Sequence, residues 1–185
     1  VFPVLHGEFG EDGKIQHLLD EAEMAYVGSG VSASAQAMDK AVAKLLFESS
    51  GMTVAHGVVV TQQDWQSATD SLSYPVFVKP SSGGSSRGTH KVKSSGGMKA
   101  AIEDALLYDT KVLIETAIVG REIECAVLER DGKVEASILG EIIVNPKFEF
   151  YDFEAKYLDD ATTVRIPADI PELDADEIRR LAVAA

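Results

Sequence analysis

Lys79 closes a short apolar run and opens onto a loop of little but glycine and serine, Tyr74-Pro-Val-Phe-Val-Lys79-Pro-Ser-Ser-Gly-Gly-Ser-Ser-Arg-Gly88. A cation at the end of a strand is carried to the rim of a sheet. Residues Gly83 to Gly88 have so little side-chain bulk that their backbone N–H groups can close over an anion. Rigid cation and lid of donors together make a phosphate-binding device. Gly83 and Gly88 have the G-x-x-x-x-G spacing of a P-loop, but Thr89-His90 stands where that motif requires Gly-Lys. Here the lysine comes before the loop.

Other residues offer chemistry with alternatives still open. Gly28-Ser-Gly-Val-Ser-Ala33 fits G-x-G-x-x-A, the dinucleotide fingerprint. The preceding strand is very short and Glu48 is the only acid near the required offset, so a tight turn entering a helix is the preferred reading. His6 leaves a strand beside three glycines, where a structural and a binding role are both open. Lys40, after Asp39 at a helix start, reads on its own as a solvated lysine, and Glu115 and Glu122 as exposed strand ends. Tyr151-Asp-Phe-Glu-Ala-Lys156-Tyr157 mixes aromatics with charge and suggests a lid or substrate loop.

The elements that must position these residues alternate. Val1–Leu5 reads as a strand and Ile15, Leu18, Leu19 and Ala22 as a helical stripe. A short strand ends at Tyr26-Val27. Met38–Ser50 reads as one helix stopped by Gly51, Val54–Val60 as a strand and Thr61–Leu72 as a helix. Val76–Lys79 is a buried strand; a weaker strand near Val92, a helix over Met98–Tyr108 and a strand at Lys111–Glu115 follow. From Glu122 the pattern turns antiparallel, Glu122–Glu129 and Val134–Leu139 about an Asp131-Gly132 turn. This is an α/β (α+β) nucleotide-binding pattern, with boundaries at 38 and 115.

With 185 residues, 45% hydrophobic, the chain can bury a core of one or two domains. Its formal charge of −13 argues against a nucleic-acid partner, which would need dense Lys and Arg. Cys125 is the single cysteine, read as a small core residue in an alternating strand; no disulfide framework is available, consistent with a reducing cytoplasm. Within these residues no signal-peptide pattern, membrane-length apolar run or repeat is expected. Val1 opens inside an apparent strand without an initiator methionine, and Asp174–Ala185, begun by an Asp174-x-x-Glu177 cap signal, leaves in mid-helix. The expectation is an interior piece of a longer protein.

In order along the chain, Val4-Leu-His-Gly-Glu with Gly10-Glu-Asp-Gly13, Tyr26-Val-Gly-Ser-Gly-Val-Ser-Ala-Ser-Ala35, Met38-Asp-Lys40, Val78-Lys-Pro80, Gly84-Ser-Ser86, Gly120-Arg-Glu-Ile-Glu124 and Phe150-Tyr-Asp-Phe-Glu-Ala-Lys-Tyr157 resemble the D-alanine–D-alanine ligases. That family has the ATP-grasp fold. The resemblance implies three parts: the end of an N-terminal substrate domain at 1–37, a central subdomain at 38–114 and an incomplete C-terminal subdomain at 115–185. It makes Lys40 and Lys79 the lysines on the α- and β-phosphates, and Gly84, Ser85 and Ser86 the loop over the nucleotide. Glu115, Thr116 and Ile118 become the adenine hinge, with Thr116 where a lysine is usual, and Glu122 the carboxylate on the ribose. His6 and Lys156 fall near the D-alanine carboxylates, and Tyr157 becomes a lid tyrosine closing on Ser85. Phe153 replaces the usual tyrosine.

The chemistry implied is ATP-dependent ligation of two D-alanines through an acyl phosphate, supplying a peptidoglycan precursor and so cell-wall biogenesis and cell shape. ATP with Mg²⁺ or Mn²⁺ is the implied cofactor. The family's metal ligands and the arginine that steadies the transferred phosphate fall beyond residue 185, and a glutamate for the first D-alanine before residue 1. The fragment alone is then expected to be inactive; a cytoplasmic homodimer, without nucleic-acid or membrane partner, is the expected context. The alternatives are another ATP-grasp carboxylate–amine ligase and a non-catalytic nucleotide-binding fragment.

Overall fold

The computed structural model describes residues 1–69, 72–145, 147–150 and 162–185. They fall into two compact units, one of Val1–Leu46 with Val54–Ala117, the other of Phe47–Thr53 with Ile118–Ala185.

The first unit is organised by a four-stranded antiparallel sheet. Its strands are β1 (Gly57–Val60), β2 (Val76–Pro80), β3 (His90–Val92) and β4 (Val112–Thr116), in the order β1-β4-β2-β3. Alternation along β2 buries Val76 and Val78 on one face and leaves Phe77 and Lys79 half-buried on the other. Helix α5 (Met98–Ala105), which follows a 3₁₀ turn at Ser95–Gly97, covers the first face. Its buried residues Met98, Ala101, Ile102 and Ala105 recur at the i, i+3, i+4, i+7 spacing of a core-facing helical stripe. Ile102, Val60, Val78, Val112 and Ile114 are wholly buried where they meet.

Gly57 permits the approach of β1. It lies opposite Glu115, and a Cβ there would sit 2.5 Å from the Ile114 carbonyl oxygen. The remaining helices of this unit are α1 (Lys14–Glu21), α2 (Val31–Met38), the start of α3 (Lys40–Ser49) and the single turn α4 (Trp65–Ala68).

The second unit holds a three-stranded sheet of β5 (Glu122–Glu124), β8 (Gly140–Ile143) and β9 (Thr163–Arg165), with β8 central. It also holds the hairpin of β6 (Val127–Arg130) and β7 (Lys133–Ala136), and helix α6 (Glu172–Ala184). Asp131 and Gly132 have φ of 53° and 74°, the pair of left-handed residues that a two-residue type I′ turn demands. The Asp-Gly signal is therefore correct. Arg121 clasps Glu141 with two hydrogen bonds of 2.7 Å and donates to the Asp169 carbonyl oxygen at 2.8 Å.

Several local expectations are corrected. Val1–Leu5 forms no strand: its N-terminal residue bonds Ala25 and Val27, but no ladder continues. Tyr26-Val27 is likewise not a strand, so Gly28-Ser-Gly30 turns into α2, as the plain reading of that motif holds. The expected helix over Met38–Ser50 is α3, which starts at Lys40: Met38 ends α2, and Asp39 between them is extended and makes an isolated bridge with Ser82. β1 starts at Gly57, not Val54. α4 starts at Trp65, not Thr61, whose N–H is held instead by the Asp64 carboxylate at 2.6 Å.

Glu122–Glu129 is not continuous. β5 pairs with β8 and β6 with β7, so the chain changes partners at Cys125-Ala126, and Cys125 is half-buried rather than core. α6 begins at Glu172 behind Pro171, two residues before the expected cap at Asp174, with both acids in its first turn where the helix dipole favours them.

Candidate functional site

Directly opposed residues in antiparallel strands point to the same face, so the register Phe77↔Glu115 and Lys79↔Leu113 puts Lys79 and Glu115 diagonally together. That face is the one α5 does not cover. Glu115 is only 11% exposed and shares its carboxylate between two cations: Oε1 pairs with Lys79, and Oε2 accepts from Lys44 Nζ at 2.8 Å. Burial works to raise its carboxyl pKa, but the hydrogen bonds from Lys44 and Lys79 win and hold it below the ordinary carboxylate value.

Lys44 lies one turn after Lys40 on α3, so the two side chains share a helix face. Lys40 Nζ donates to the carbonyl oxygens of Gly83 at 2.8 Å and Ser81 at 3.3 Å. Its pKa is lowered, first by burial and then by the charge of Lys79 nearby. Lys44, one turn from Lys40, shares the Glu115 carboxylate with Lys79, which brings the two lysines into one neighbourhood.

Asp39 holds that arrangement. Its Oδ1 accepts from Ser81 Oγ at 2.6 Å and from the Ala41 N–H at 3.1 Å, while Oδ2 pairs with Lys111. The first contact fixes the exit of β2; the second satisfies an orphan donor at the start of α3. Asp109 secures the next step, accepting from the Ser82 N–H at 2.7 Å. Lys40, Lys44, Lys79 and Lys111 against Asp39, Asp109 and Glu115 leave one surplus positive charge, in a chain whose net charge is −13. These residues thus carry a small positive surplus where an anion would bind.

Beyond β2, Gly83 has φ of 123°, and Ser85 and Ser86 hold left-handed values of 53° and 57° that non-glycine residues seldom adopt. The loop borders a cleft of about 360 Å³ lined also by His6, Glu8, Arg87 and Tyr108. His6, Gly84 and Ser85 thus meet in one cleft, and Lys40 reaches it through Gly83. Thr116 ends β4, its N–H bonded to the His56 carbonyl oxygen at 2.9 Å, and Ile118 is exposed. In the second unit Glu122 opens β5 and lines a separate cleft of about 320 Å³ with Arg121, Glu141 and Phe148. Lys156 and Tyr157 lie outside the described residues, as does Phe153. Among the described residues no group of three His, Cys, Asp or Glu could hold a metal.

Sequence alone does not single out Lys44, Lys111 or Arg87, and it gives Asp39 only as the residue before Lys40. The four-residue step from Lys40 was a usable signal for Lys44; nothing local marks Lys111 as the partner of Asp39.

A family model described as "D-ala D-ala ligase C-terminus" matches residues 46–185, and one described as "D-ala D-ala ligase N-terminus" matches residues 1–29. The D-alanine–D-alanine ligase of Pseudarthrobacter chlorophenolicus is 51% identical over 196 residues, covering all of this chain and 51% of the relative. That of Geobacillus kaustophilus is 46% identical over 193 residues, covering all of this chain and 52% of the relative. The chain spans about half the length of the curated relatives it matches.

Among solved structures, VanG D-Ala:D-Ser ligase from Enterococcus faecalis superposes with a TM-score of 0.88 at 36% identity, covering all of this chain and 54% of the other. D-alanine–D-alanine ligase from Coxiella burnetii gives 0.82 at 34% identity, covering 99% of this chain and 49% of the other. The expected α/β ATP-grasp architecture is the one these structures share. Paired lysines beside a glycine-serine loop are thus found in a chain matched over most of its length, and it belongs to the D-alanine–D-alanine ligase family.

Proposed function

We propose that this chain is the nucleotide-binding and substrate-binding part of an ATP-dependent ligase that joins two D-alanines into D-alanyl-D-alanine. The observation that carries this reading is the placement of Lys40 against the Gly83–Gly88 loop, on the same helix face as Lys44, which shares Glu115 with Lys79. Two ammonium groups on rigid elements, in a locally positive patch, fit the phosphates of ATP. Lys40 and Lys79 take the phosphates as point charges; Gly84, Ser85 and Ser86 cover them and exclude water from the transfer. Glu115 and the backbone of Thr116 and Ile118 serve the adenine, and Glu122 the ribose, roles supported by family membership. His6, in the cleft with Ser85, serves a D-alanine carboxylate together with Lys156, and Tyr157 closes over it.

When bound, ATP supplies the phosphoryl group that activates the first carboxylate, and the amine of the second D-alanine displaces it. No side chain is required as a covalent nucleophile. The Mg²⁺ or Mn²⁺ that family resemblance implies would take oxygen ligands beyond residue 185; among the described residues no group of three His, Cys, Asp or Glu could hold it. A peptidoglycan-precursor role, a cytoplasmic location and a homodimer complete the proposal; no helix among the described residues is long and apolar enough to cross a membrane.

The test uses the protein at the full length of its curated relatives, given ATP, Mg²⁺ and D-alanine, with D-serine and D-lactate as competing second substrates. Phosphate release with the mass of D-alanyl-D-alanine supports the reading. Product only with a different amine or hydroxyl partner gives another ATP-grasp ligase. Nucleotide binding with neither phosphate nor product gives the non-catalytic module.

A further inference from the structure

Lys44 Nζ has two acceptors: Glu115 Oε2 at 2.8 Å and the carbonyl oxygen of Ala55, just before β1. Lys44 is 18% exposed and Glu115 11%, so their attraction is screened far less than that of a surface pair. The carbonyl contact fixes where the Lys44 ammonium sits, and so which oxygen of Glu115 it takes. The other oxygen faces Lys79.

We propose that Lys44 is a positioning residue for the nucleotide phosphates, acting through Glu115 on Lys79; this rests on the reading of Lys79 as a phosphate-binding lysine. Facing Glu115 alone, Lys79 would be closed into an ion pair, and a phosphate would compete with a whole carboxylate. Lys44 takes half of that carboxylate. One N–H of Lys79 then holds its place against Glu115 while the ammonium, with three donors in all, can turn others to an anion. When an anion draws Lys79 away, Lys44 keeps Glu115 from being left buried and uncompensated.

A merely structural Lys44 would staple α3 to Ala55, and the two roles separate in a double-mutant cycle. ATP affinity is measured by calorimetry in the full-length protein for Lys44→Met, Glu115→Gln, the double variant, Lys44→Arg and Lys79→Ala, each checked for a cooperative melt. Lys44→Met is expected to raise the ATP Kd about tenfold, equivalent to about 1.4 kcal/mol. Lys44→Arg, which keeps the charge, is expected to recover most of that loss. In the Glu115→Gln background, where no carboxylate remains to neutralise, adding Lys44→Met is expected to change Kd little.

An equal loss in both backgrounds would overturn the proposal in favour of stapling, and so would an unchanged Kd in Lys44→Met while Lys79→Ala binds weakly. Should Lys44→Met alone fail to fold, the comparison of Glu115→Gln with the double variant decides in the same way. An unchanged Kd in Lys79→Ala is a different failure: it would remove the phosphate reading itself.

Discussion

Lys40 donates its ammonium to the carbonyl oxygen of Gly83 at 2.8 Å, tying the first turn of α3 to the loop that follows β2. The same backbone stretch accepts the Lys40 N–H, at Ser81 and 2.8 Å. The cation proposed to take phosphate is thus held by the loop proposed to cover it. Phosphate would replace a neutral carbonyl with an anion as its partner.

This exchange has a pH signature. Burial and the charge of Lys79 lower the Lys40 pKa, so in the alkaline window below the ordinary lysine value the folded chain binds fewer protons than the unfolded one. Folding stability from this group therefore rises with pH across that window, as the cost of a buried charge is relieved. Phosphate works the other way, because it needs the ammonium. ATP binding in that window should take up a proton, and Kd should rise with pH. Calorimetry in buffers of different ionisation enthalpy checks it: proton uptake in the wild type, lost in Lys40→Ala, is expected, and no uptake in the wild type would contradict it.

Glu115 makes the opposite prediction in acid. Its folded pKa is depressed despite burial, by Lys44 and Lys79, so its stabilising contribution is complete above the unfolded value and lost as pH falls through the folded value. Glu115→Gln should lower stability near neutral pH by about 1–3 kcal/mol, because it leaves ammonium groups without their acceptor. It should also flatten the acid limb of the stability profile. Urea midpoints from neutral to acid pH provide the measurement; parallel profiles for the two proteins would contradict the assignment.

Gly57 links the sheet to this carboxylate. The Cβ of Gly57→Ala would lie 2.5 Å from the Ile114 carbonyl oxygen and 2.9 Å from Glu115 Cβ, and a backbone atom cannot step aside cheaply. Overpacking of this kind costs about 1–3 kcal/mol. Urea unfolding should show that loss, accompanied by weaker ATP binding as Glu115 is displaced. A neutral substitution would contradict the register of β1 on β4.

What the sequence revealed follows how local each signal is. Val76–Lys79 and the helix expected from Met98 are written in consecutive residues, as is Asp131-Gly132, and all three form where expected, the helix stopping at Ala105 rather than Tyr108. Asp39 is different: it breaks a helical pattern because Ser81, Ser82 and Lys111, distant in sequence, take up its carboxylate and backbone. Cys125 looked buried for the same reason, since alternation continues through it while the pairing partner changes from β8 to β7. Lys79 was legible as a phosphate lysine from its strand and loop, but the sharing of Glu115 by Lys44 and Lys79 depends on the β2–β4 register and the approach of α3. No window of sequence contains it.

The core of the first unit rests on Ile102, wholly buried on α5 against the sheet. Ile102→Ala should cost about 2–5 kcal/mol through lost transfer energy and the cavity left behind. Chemical denaturation measures it, and a loss under 1 kcal/mol, roughly the scale of a surface change, would contradict the packing of α5 on β2.

Calorimetric titration of ATP into the full-length protein and its Lys79→Ala variant tests most directly whether this face of β2 binds the nucleotide's phosphates. Loss of a charge-assisted contact worth about 1.5–3 kcal/mol should raise Kd by about one to two decades, with the cooperative melt retained. An ATP Kd unchanged in the folded variant would contradict the phosphate site.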